Sequence, residues 1–335
     1  MLDLFPLSVR NIEIEGSPMV EFMMEAITNI QPTSLQSLIL RDCSSAISFL
    51  GGRLPASLKT LNIDGLKKLE FPMQHKHDIL EELSISNSCD SLSSIPLVTF
   101  PNLNSLEINC ANMEPLLVSG SHSFNSLSDF EIFNCPNFES FSREGLLAPN
   151  LTRLEVSHCD KLKSLPDQMS RLLPKVEFLS ISDCLKIESF PEGGMPPNLR
   201  TIRIENCEKL LSGLAWPSMH MLTSLYVTGP CDGIKSFPKE HLLPPSLKTL
   251  RLYYFSSLET LDCKGFVHLA SLQELHIYDC QKLENMSGER LPDSLIKLSI
   301  NSCPLLQKQC HMKHSQIWPK ISHIRGIMVD NRWIL

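Results

Sequence analysis

The sequence predicts an α/β solenoid, in which short parallel strands form one sheet and mostly short, irregular segments cover its other side. Three observations lead to this fold class. A nine-residue apolar motif recurs along nearly all of the 335 residues, a second motif ending in proline follows many of its copies, and cysteine recurs at one place in the first motif. The chain is 42% hydrophobic and 20% charged, which indicates a folded protein rather than a disordered one.

The nine-residue motif reads LxxLxLxxC, with Ile, Val or Phe in some of the Leu places. Its clear copies occupy 35–43, 151–159, 176–184, 199–207, 272–280 and 295–303. Weaker copies begin at Val9, Leu58, Leu80, Leu103, Leu127, Leu222, Leu247 and Ile324. Together they predict about 14 repeats, most of them 22 to 26 residues apart. This spacing lies in the range of leucine-rich repeats.

Each copy of the motif predicts one short strand. The alternation in LxLxx points Leu towards the core and the residues between outwards. With the first Leu as position one, positions two, three, five, seven and eight face out or lie beside the sheet. Because one such turn cannot bury its apolar side alone, successive turns stack into a parallel sheet over a continuous core. We therefore expect a horseshoe-shaped leucine-rich-repeat solenoid with a concave parallel sheet.

The second motif predicts the turn onto the convex side. It appears as DSLSSIP (90–96), DKLKSLP (160–166), LKIESFP (185–191) and DGIKSFP (232–238). Its proline ends regular structure because it cannot donate to a strand ladder. The exception to short convex segments is 17–30, where Ser17 caps and Pro18 starts a predicted helix. We expect 1–335 to be a single domain, with 1–34 an atypical first repeat and 304–335 a C-terminal cap.

Cysteine closes many copies of the nine-residue motif. Seven of the twelve cysteines hold its last position, namely Cys43, Cys135, Cys159, Cys184, Cys207, Cys280 and Cys303. They predict a column inside the solenoid, which suits cysteine because it is small and readily buried. Adjacent strands lie about 4.8 Å apart, so disulfides between neighbours are the alternative to free thiols. With no basic and apolar leader at the start of the chain, we expect free thiols in an intracellular protein.

Charge and motifs argue against several other classes of function. The net charge of −7 disfavours nucleic acid as a partner, since phosphate binding needs clustered Lys and Arg. No apolar run is long enough to span a membrane. CHMKH (310–314) and HKH (75–77) match no zinc pattern, and SHCD (157–160) alternates faces on a strand, so we expect neither a metal site nor a catalytic triad. GxxxxGK[ST], which cradles nucleotide phosphates, is absent from the sequence.

The combined pattern LPxSLKxLxIxxCxxLxSFP, at 174–191 and 244–261, resembles the leucine-rich-repeat domain of plant intracellular disease-resistance proteins. These are nucleotide-binding leucine-rich-repeat receptors, and the likeness is to their coiled-coil class. It covers essentially the whole chain. The ending WPKISHIRGIMVDNRWIL (318–335) is also similar to the tail of such receptors.

The resemblance implies a non-enzymatic recognition domain that acts in plant defence. It implies a pathogen effector or a host protein as the partner, and an intramolecular contact that helps to hold an upstream nucleotide-binding domain inactive. ATP or ADP would then bind that domain and not this chain, and the protein would lie in the cytoplasm or nucleus. The alternative is a generic leucine-rich-repeat interaction scaffold or a substrate adaptor in protein degradation.

The outward positions predict two partner-binding surfaces. The acidic set, one Glu at position five of three consecutive repeats, is Glu107, Glu131 and Glu155. The aromatic and basic set, at outward positions of later repeats, is Arg203, Tyr226, Arg251, Tyr253, Tyr254, His276 and Tyr278. Tyr and Arg are residue types that dominate interface energetics, although strand preference explains part of the tyrosine clustering. The acidic set is either a site for a basic partner or a solvated face.

Overall fold

A computed structural model describes residues 8–30, 34–44, 48–49, 52–72, 75–95, 97–113, 123–141, 146–191, 193–212, 219–312 and 315–335. They form two compact units. The first takes in the described part of Met1–Val176 and Pro191–Gly194, and the second that of Glu177–Phe190 and Met195–Leu335. Pro96 of the second motif, and residues 313–314 of the CHMKH segment, lie outside the described residues.

In the described part of the first unit, seven strands pair in parallel and in chain order. They are β1 (Asn11–Glu15), β2 (Ser37–Arg41), β3 (Thr60–Asp64), β4 (Glu82–Ser86), β5 (Ser105–Asn109), β6 (Asp129–Phe133) and β7 (Arg153–Ser157). The helical segments are α1 (Val20–Ile30), a 3₁₀ turn at Leu97–Thr99, and α2 (Met169–Leu172).

The second unit contains a main sheet and a smaller one. The strands of the main sheet are β8 (Phe178–Ser182), β9 (Thr201–Glu205), β10 (Ser224–Thr228), β12 (Thr249–Tyr253), β14 (Glu274–Tyr278), β16 (Lys297–Asn301) and β17 (Gly326–Val329), all parallel, with β18 (Arg332–Trp333) antiparallel to β17. The smaller parallel sheet consists of β11 (Ser236–Phe237), β13 (Thr260–Asp262) and β15 (Asn285–Ser287). The helical segments are α3 (Glu208–Ser212), a 3₁₀ turn at Cys263–Phe266, α4 (Pro304–His311) and α5 (Trp318–Ile321).

The strands form where the sequence alternates between apolar and other residues. In β12 and β14, positions four and six are Leu250, Leu252, Leu275 and Ile277, and each is 0% exposed. Burying such a side chain contributes about 1.5–3 kcal/mol to stability. The fold-class prediction of a leucine-rich-repeat solenoid with a parallel sheet and few helices is confirmed. The repeat number, the single domain 1–335 and the terminal caps stay predictions.

In most of the described repeats, position eight turns the chain off the sheet through a left-handed backbone; Cys110 and Gly229 are exceptions. Most repeats place Gly, Asn or Asp there, the residues that accept this conformation most readily. Examples are Asn134 with φ 50° and Asp279 with φ 55°. The N–H of this residue donates to the position-seven carbonyl of the next strand, as from Asp279 to Asn301 at 3.0 Å.

The predicted helix at 17–30 begins later than expected. It starts at Val20 rather than at Pro18, because residues 18 and 19 form a turn first. Within that turn the Met19 N–H donates to Ser17 Oγ at 3.2 Å. Ser17 therefore caps the turn that leads into the helix, while the helix itself is shorter than the sequence predicts.

The cysteines form the expected interior column as free thiols. All twelve are buried and unpaired by disulfides, and all lie in the described residues. The thiol at position nine donates to the position-seven carbonyl of its own repeat, as from Cys303 to Asn301 at 3.2 Å. The Cys280 N–H in turn donates to Cys303 Sγ at 3.4 Å. The column thus satisfies polar backbone groups inside the core, which apolar side chains cannot do.

Candidate functional site

Strand pairing in the second unit places the predicted basic and aromatic residues side by side. Tyr226 on β10 lies opposite Arg203 on β9 and Arg251 on β12. Arg251 in turn lies opposite His276 on β14. These four residues all occupy position five, so the regular repeat brings them onto one row of the sheet's outer face.

The two arginines hold the Tyr226 ring between them. The guanidinium carbon of Arg203 is 5.3 Å from the ring centroid, and that of Arg251 is 5.1 Å from it. Both distances fall in the range of cation–π attraction. Burial works to lower the pKa of Arg251, but a hydrogen bond with Tyr253 and the other nearby tyrosines outweigh it and raise that pKa. The Arg251 side chain therefore remains cationic.

A second row of rings stands beside the first. Tyr253 and Tyr278 stack with centroids 4.9 Å apart and planes 8° from parallel, and His276 lies parallel to Tyr278 at 6.2 Å. Tyr278 Oη is 3.5 Å from His276 Nδ1, and His276 Nε2 is 3.0 Å from a carboxylate oxygen of Glu274. Since the carboxylate accepts, His276 carries its proton on Nε2, and Nδ1 accepts from the Tyr278 hydroxyl.

His276 differs from the expectation that it is exposed. It is only 4% exposed, because the neighbouring rings and Glu274 cover it on the outer face. Burial lowers its pKa, and the hydrogen bond to Glu274 offsets that effect only in part. His276 is therefore neutral at pH 7, and it orients Tyr278 and Glu274 rather than presenting a positive charge.

Tyr254 follows β12 at position eight. It is 57% exposed and has φ 58°, a left-handed backbone that costs an ordinary residue about 1–2 kcal/mol. Its N–H still donates to the Tyr278 carbonyl at 3.0 Å. We use the name aromatic patch for the surface formed by Arg203, Tyr226, Arg251, Tyr253, Tyr254, His276 and Tyr278.

The acidic set lies on three neighbouring strands of the first unit. Glu131 on β6 lies opposite Glu107 on β5 and Glu155 on β7. With Asp129 and Arg153, these residues line a small cavity of about 180 Å³. Partial burial raises the pKa of Glu131, and the charges of Glu155 and Glu107 raise it further, while Arg153 works in the opposite direction. Arg153 also forms an ion pair with Glu155.

Two residues of these surfaces escaped the sequence prediction. Phe178 lies under the Arg203 guanidinium, 5.2 Å from ring centroid to guanidinium carbon. Asp129 adds a fourth carboxylate to the acidic cavity. Both occupy position three of their repeats. The signal was present in the sequence, because positions three and five share a face of the strand.

The other chemistry-bearing segments do not form a site in the part of the chain described. His77 of the HKH segment is buried, and its Nε2 lies 3.1 Å from the Pro72 carbonyl. Cys159 of the SHCD segment is also buried, while His158 beside it is exposed. No three His, Cys, Asp or Glu residues among those described are arranged to hold a metal ion. No helix in the described residues has the length and apolar character needed to cross a membrane.

Comparisons with known proteins found relatives in sequence and a partial overlap with solved structures. No family model matches the chain. A crystal structure of a TLR13–ssRNA13 complex aligns with a TM-score of 0.38 and 17% identity, over 88% of this chain and 53% of that one. An overlap of this size carries no argument about this chain.

Two curated relatives are plant proteins. A putative disease resistance protein of Arabidopsis thaliana is 36% identical over 334 residues, which cover 97% of this chain and 23% of the relative. TMV resistance protein N of Nicotiana glutinosa is 28% identical over 293 residues, which cover 76% of this chain and 24% of the relative. The chain therefore spans about a quarter of the length of these relatives.

Proposed function

Since this chain belongs with the leucine-rich-repeat regions of plant disease-resistance proteins, we propose that it is the recognition part of such a protein and binds a partner protein through the aromatic patch. The partner is a pathogen effector or a host protein. Recognition requires no chemistry, so the chain acts without catalytic residues and without a cofactor of its own.

The observation that carries this proposal is Tyr254. Most other repeats fill position eight with Gly, Asn or Asp, and His158 and Ser302 also adopt the left-handed backbone there, whereas this repeat places a large exposed tyrosine ring on it. A strained conformation that exposes an aromatic side chain is a reason to infer function, since packing alone does not repay its cost. The rings of Tyr253 and Tyr278 extend the same surface. Tyr and Arg at the centre of an interface typically contribute the largest share of binding energy.

The acidic set supports a second contact surface. Three like charges on adjacent strands oppose folding, and Arg153, which lines the same cavity and pairs with Glu155, offsets part of their repulsion. We propose that Glu107, Glu131 and Glu155 receive a Lys or Arg of a partner protein. Such a contact would mainly raise the rate of association and suppress wrong partners.

The wider role follows from the relatives and not from the residues of this chain. We propose that the chain lies inside the cell and helps to hold a nucleotide-binding domain of the longer protein inactive until the partner binds. A substrate adaptor in protein degradation is the alternative. A P-loop domain encoded beside this segment would support the immune role, and an F-box encoded there would support the adaptor.

The proposal is tested with a phage-displayed library of random dodecapeptides, selected on the immobilised 335-residue chain. Synthetic versions of the enriched peptides are then titrated against the wild type and the double variant Tyr253→Ala/Tyr254→Ala. We expect the double variant to bind at least about tenfold more weakly, since interface tyrosines are frequent hot spots.

The matched control is Val267→Ala. Val267 is an apolar residue that is 74% exposed and lies outside the aromatic patch, so its loss should leave peptide binding unchanged. Far-ultraviolet circular dichroism checks that each variant is folded. Equal binding by the folded double variant and the wild type would contradict the proposal.

A further inference from the structure

The arginines of the aromatic patch differ in their partners from other arginines on the strands. Arg41 on β2 pairs with Glu13, and Arg153 on β7 pairs with Glu155. Arg203 and Arg251 lie on the same outer face of their own sheet, yet neither has a carboxylate within 4.0 Å among the described residues. Two positive charges at the centre of this surface therefore lack an ion-pair partner in direct contact, although the nearby charge of Arg251 helps to lower the pKa of Glu274.

Arg251 is also partly dehydrated. Its Nε–H is buried and has no hydrogen-bond partner, and the Tyr226 ring lies beside the guanidinium. A guanidinium that has already lost water loses less on binding a carboxylate, so the net gain from that contact is larger than at a fully solvated site. The rings also hold the side chain in one place, which reduces the entropy lost on binding.

Three other charged side chains, Glu274, Glu205 and Lys297, lie on the outward positions of the strands around the two arginines. The Glu274 carboxylate accepts a hydrogen bond from the Nε2–H of His276 at 3.0 Å, and this hydrogen bond is the main reason that the pKa of Glu274 is lowered. Glu205 on β9 and Lys297 on β16 are the remaining charged side chains on the outward positions of these strands. The local balance is one positive charge in excess, although the whole chain carries −7.

A stacked pair of tyrosine rings adjoins the arginines. Tyr253 follows Arg251 by two residues on β12, so it lies about 6–7 Å further along the same face. It stacks on Tyr278, its direct partner on β14. An aromatic side chain that packs against this stacked pair, edge to face or as a further stacked ring, gains about 0.5–1.5 kcal/mol beyond area burial.

We infer that the aromatic patch binds a segment of a partner protein in which an Asp or Glu side chain stands next to an aromatic one. Arg251 binds the carboxylate from the solvent side, Arg203 attracts it from the other side of the Tyr226 ring, and Tyr253 with Tyr278 receives the ring. This inference rests on the proposed function and names the chemistry of the partner at that site. Nucleic acid also offers anions and rings, but the acidic chain and the nearby Glu205 and Glu274 favour a single carboxylate over a row of phosphates.

The test uses the same selection of random dodecapeptides on the 335-residue chain. We expect the enriched peptides to carry Asp or Glu adjacent to Phe, Tyr or Trp. Fluorescence polarisation should show that Arg203→Gln/Arg251→Gln weakens binding of such a peptide by at least about tenfold, because a charge pair is lost. Replacing the peptide's Asp by Asn, or its Glu by Gln, should weaken binding to the wild type by a similar factor. The same replacement should change binding to the arginine variant only slightly.

The control is Arg200→Gln, which removes one arginine from the same repeat as Arg203. Arg200 lies 3.6 Å from Glu177 and outside the patch, so peptide affinity should stay within about twofold. A second measurement needs no variant. The affinity of the wild type for the peptide should fall as the sodium chloride concentration is raised.

The outcomes separate this inference from the proposed function. Peptides that need Tyr253 and Tyr254 but carry no acid and ignore the arginine variant would overturn the inference and leave the function standing. Peptides that bind all these variants equally would overturn both. Binding of an oligothymidylate in place of acidic peptides, or loss of affinity in Arg200→Gln as large as in the patch variant, would also overturn the inference.

Discussion

Replacing Glu131 with Gln should stabilise the protein at neutral pH. Glu131 lies directly opposite Glu107 and Glu155 on the flanking strands. Like charges at directly opposed positions each destabilise a sheet by up to about 1 kcal/mol. Arg153 offsets part of this repulsion, and solvent screens the rest. We therefore expect a net gain of about 0.5–1 kcal/mol in the free energy of unfolding.

The gain should depend on pH and on salt in defined directions. Because burial and the neighbouring charges raise the pKa of Glu131 in the folded state, ionising it costs stability at high pH. That cost is fully present above the folded pKa and disappears as the pH falls below the unfolded value of about 4.3. Variant and wild type should converge there. At about 1 M salt the Debye length is near 3 Å, so the gain at pH 7 should also shrink.

Urea denaturation followed by circular dichroism measures this effect, since urea leaves the ionic strength unchanged. The matched control is Glu81→Gln in the same unit. The Glu81 carboxylate accepts a hydrogen bond from Lys59 Nζ at 2.7 Å, so its loss should lower stability by up to about 0.5 kcal/mol. An unchanged or lower urea midpoint for Glu131→Gln at pH 7 would refute the reasoning.

Three further predictions concern the core. Phe255 is 0% exposed, and its ring centroid lies 5.9 Å from that of Phe237. Phe255→Ala should therefore lower the free energy of unfolding, measured by urea denaturation, by about 3–5 kcal/mol. A decrease below about 1 kcal/mol would contradict its place in the core. A Cβ on Gly229 would lie 2.0 Å from the Tyr254 carbonyl oxygen, so Gly229→Ala should cost about 1–3 kcal/mol, and an unchanged midpoint would count against this close approach. Burial raises the pKa of Cys135 to about 12, and all twelve thiols are buried, so a thiol reagent at pH 8 should react slowly with the native chain. The same reagent should titrate twelve thiols after unfolding without reductant; fewer would indicate disulfides.

Periodicity predicts the fold well because the same physical requirement repeats in every rung. Leu250 and Leu252 stand at positions four and six, and their complete burial follows from the alternation alone. The same counting brings Arg203, Tyr226 and Arg251 into one row, since parallel strands in register keep equal positions opposite each other. Sequence reasoning is strongest where one rule governs many copies.

The details of the candidate site depend on neighbours that periodicity does not describe. His276 occupies an outward position, but contacts with Tyr278 and Glu274 decide that it is buried and neutral. Tyr254 would not be assigned a left-handed backbone from its own preference, because the position and not the residue type imposes φ 58° there. The sandwich of Tyr226 between two guanidinium groups depends on side-chain rotamers, which a pattern of residue types does not specify.

The thiol column has a consequence for how such a chain changes over generations. Cys184 donates to the Ser182 carbonyl at 3.3 Å and Cys207 to the Glu205 carbonyl at 3.2 Å, so each closure joins residues two apart. The stretch of gene that encodes one repeat therefore also encodes both partners of its thiol-to-carbonyl hydrogen bond. Unequal recombination that adds or removes one repeat leaves these hydrogen bonds intact in all the other repeats. The number of rungs can thus change one at a time, and each new rung brings its own position five and position seven for selection to act upon.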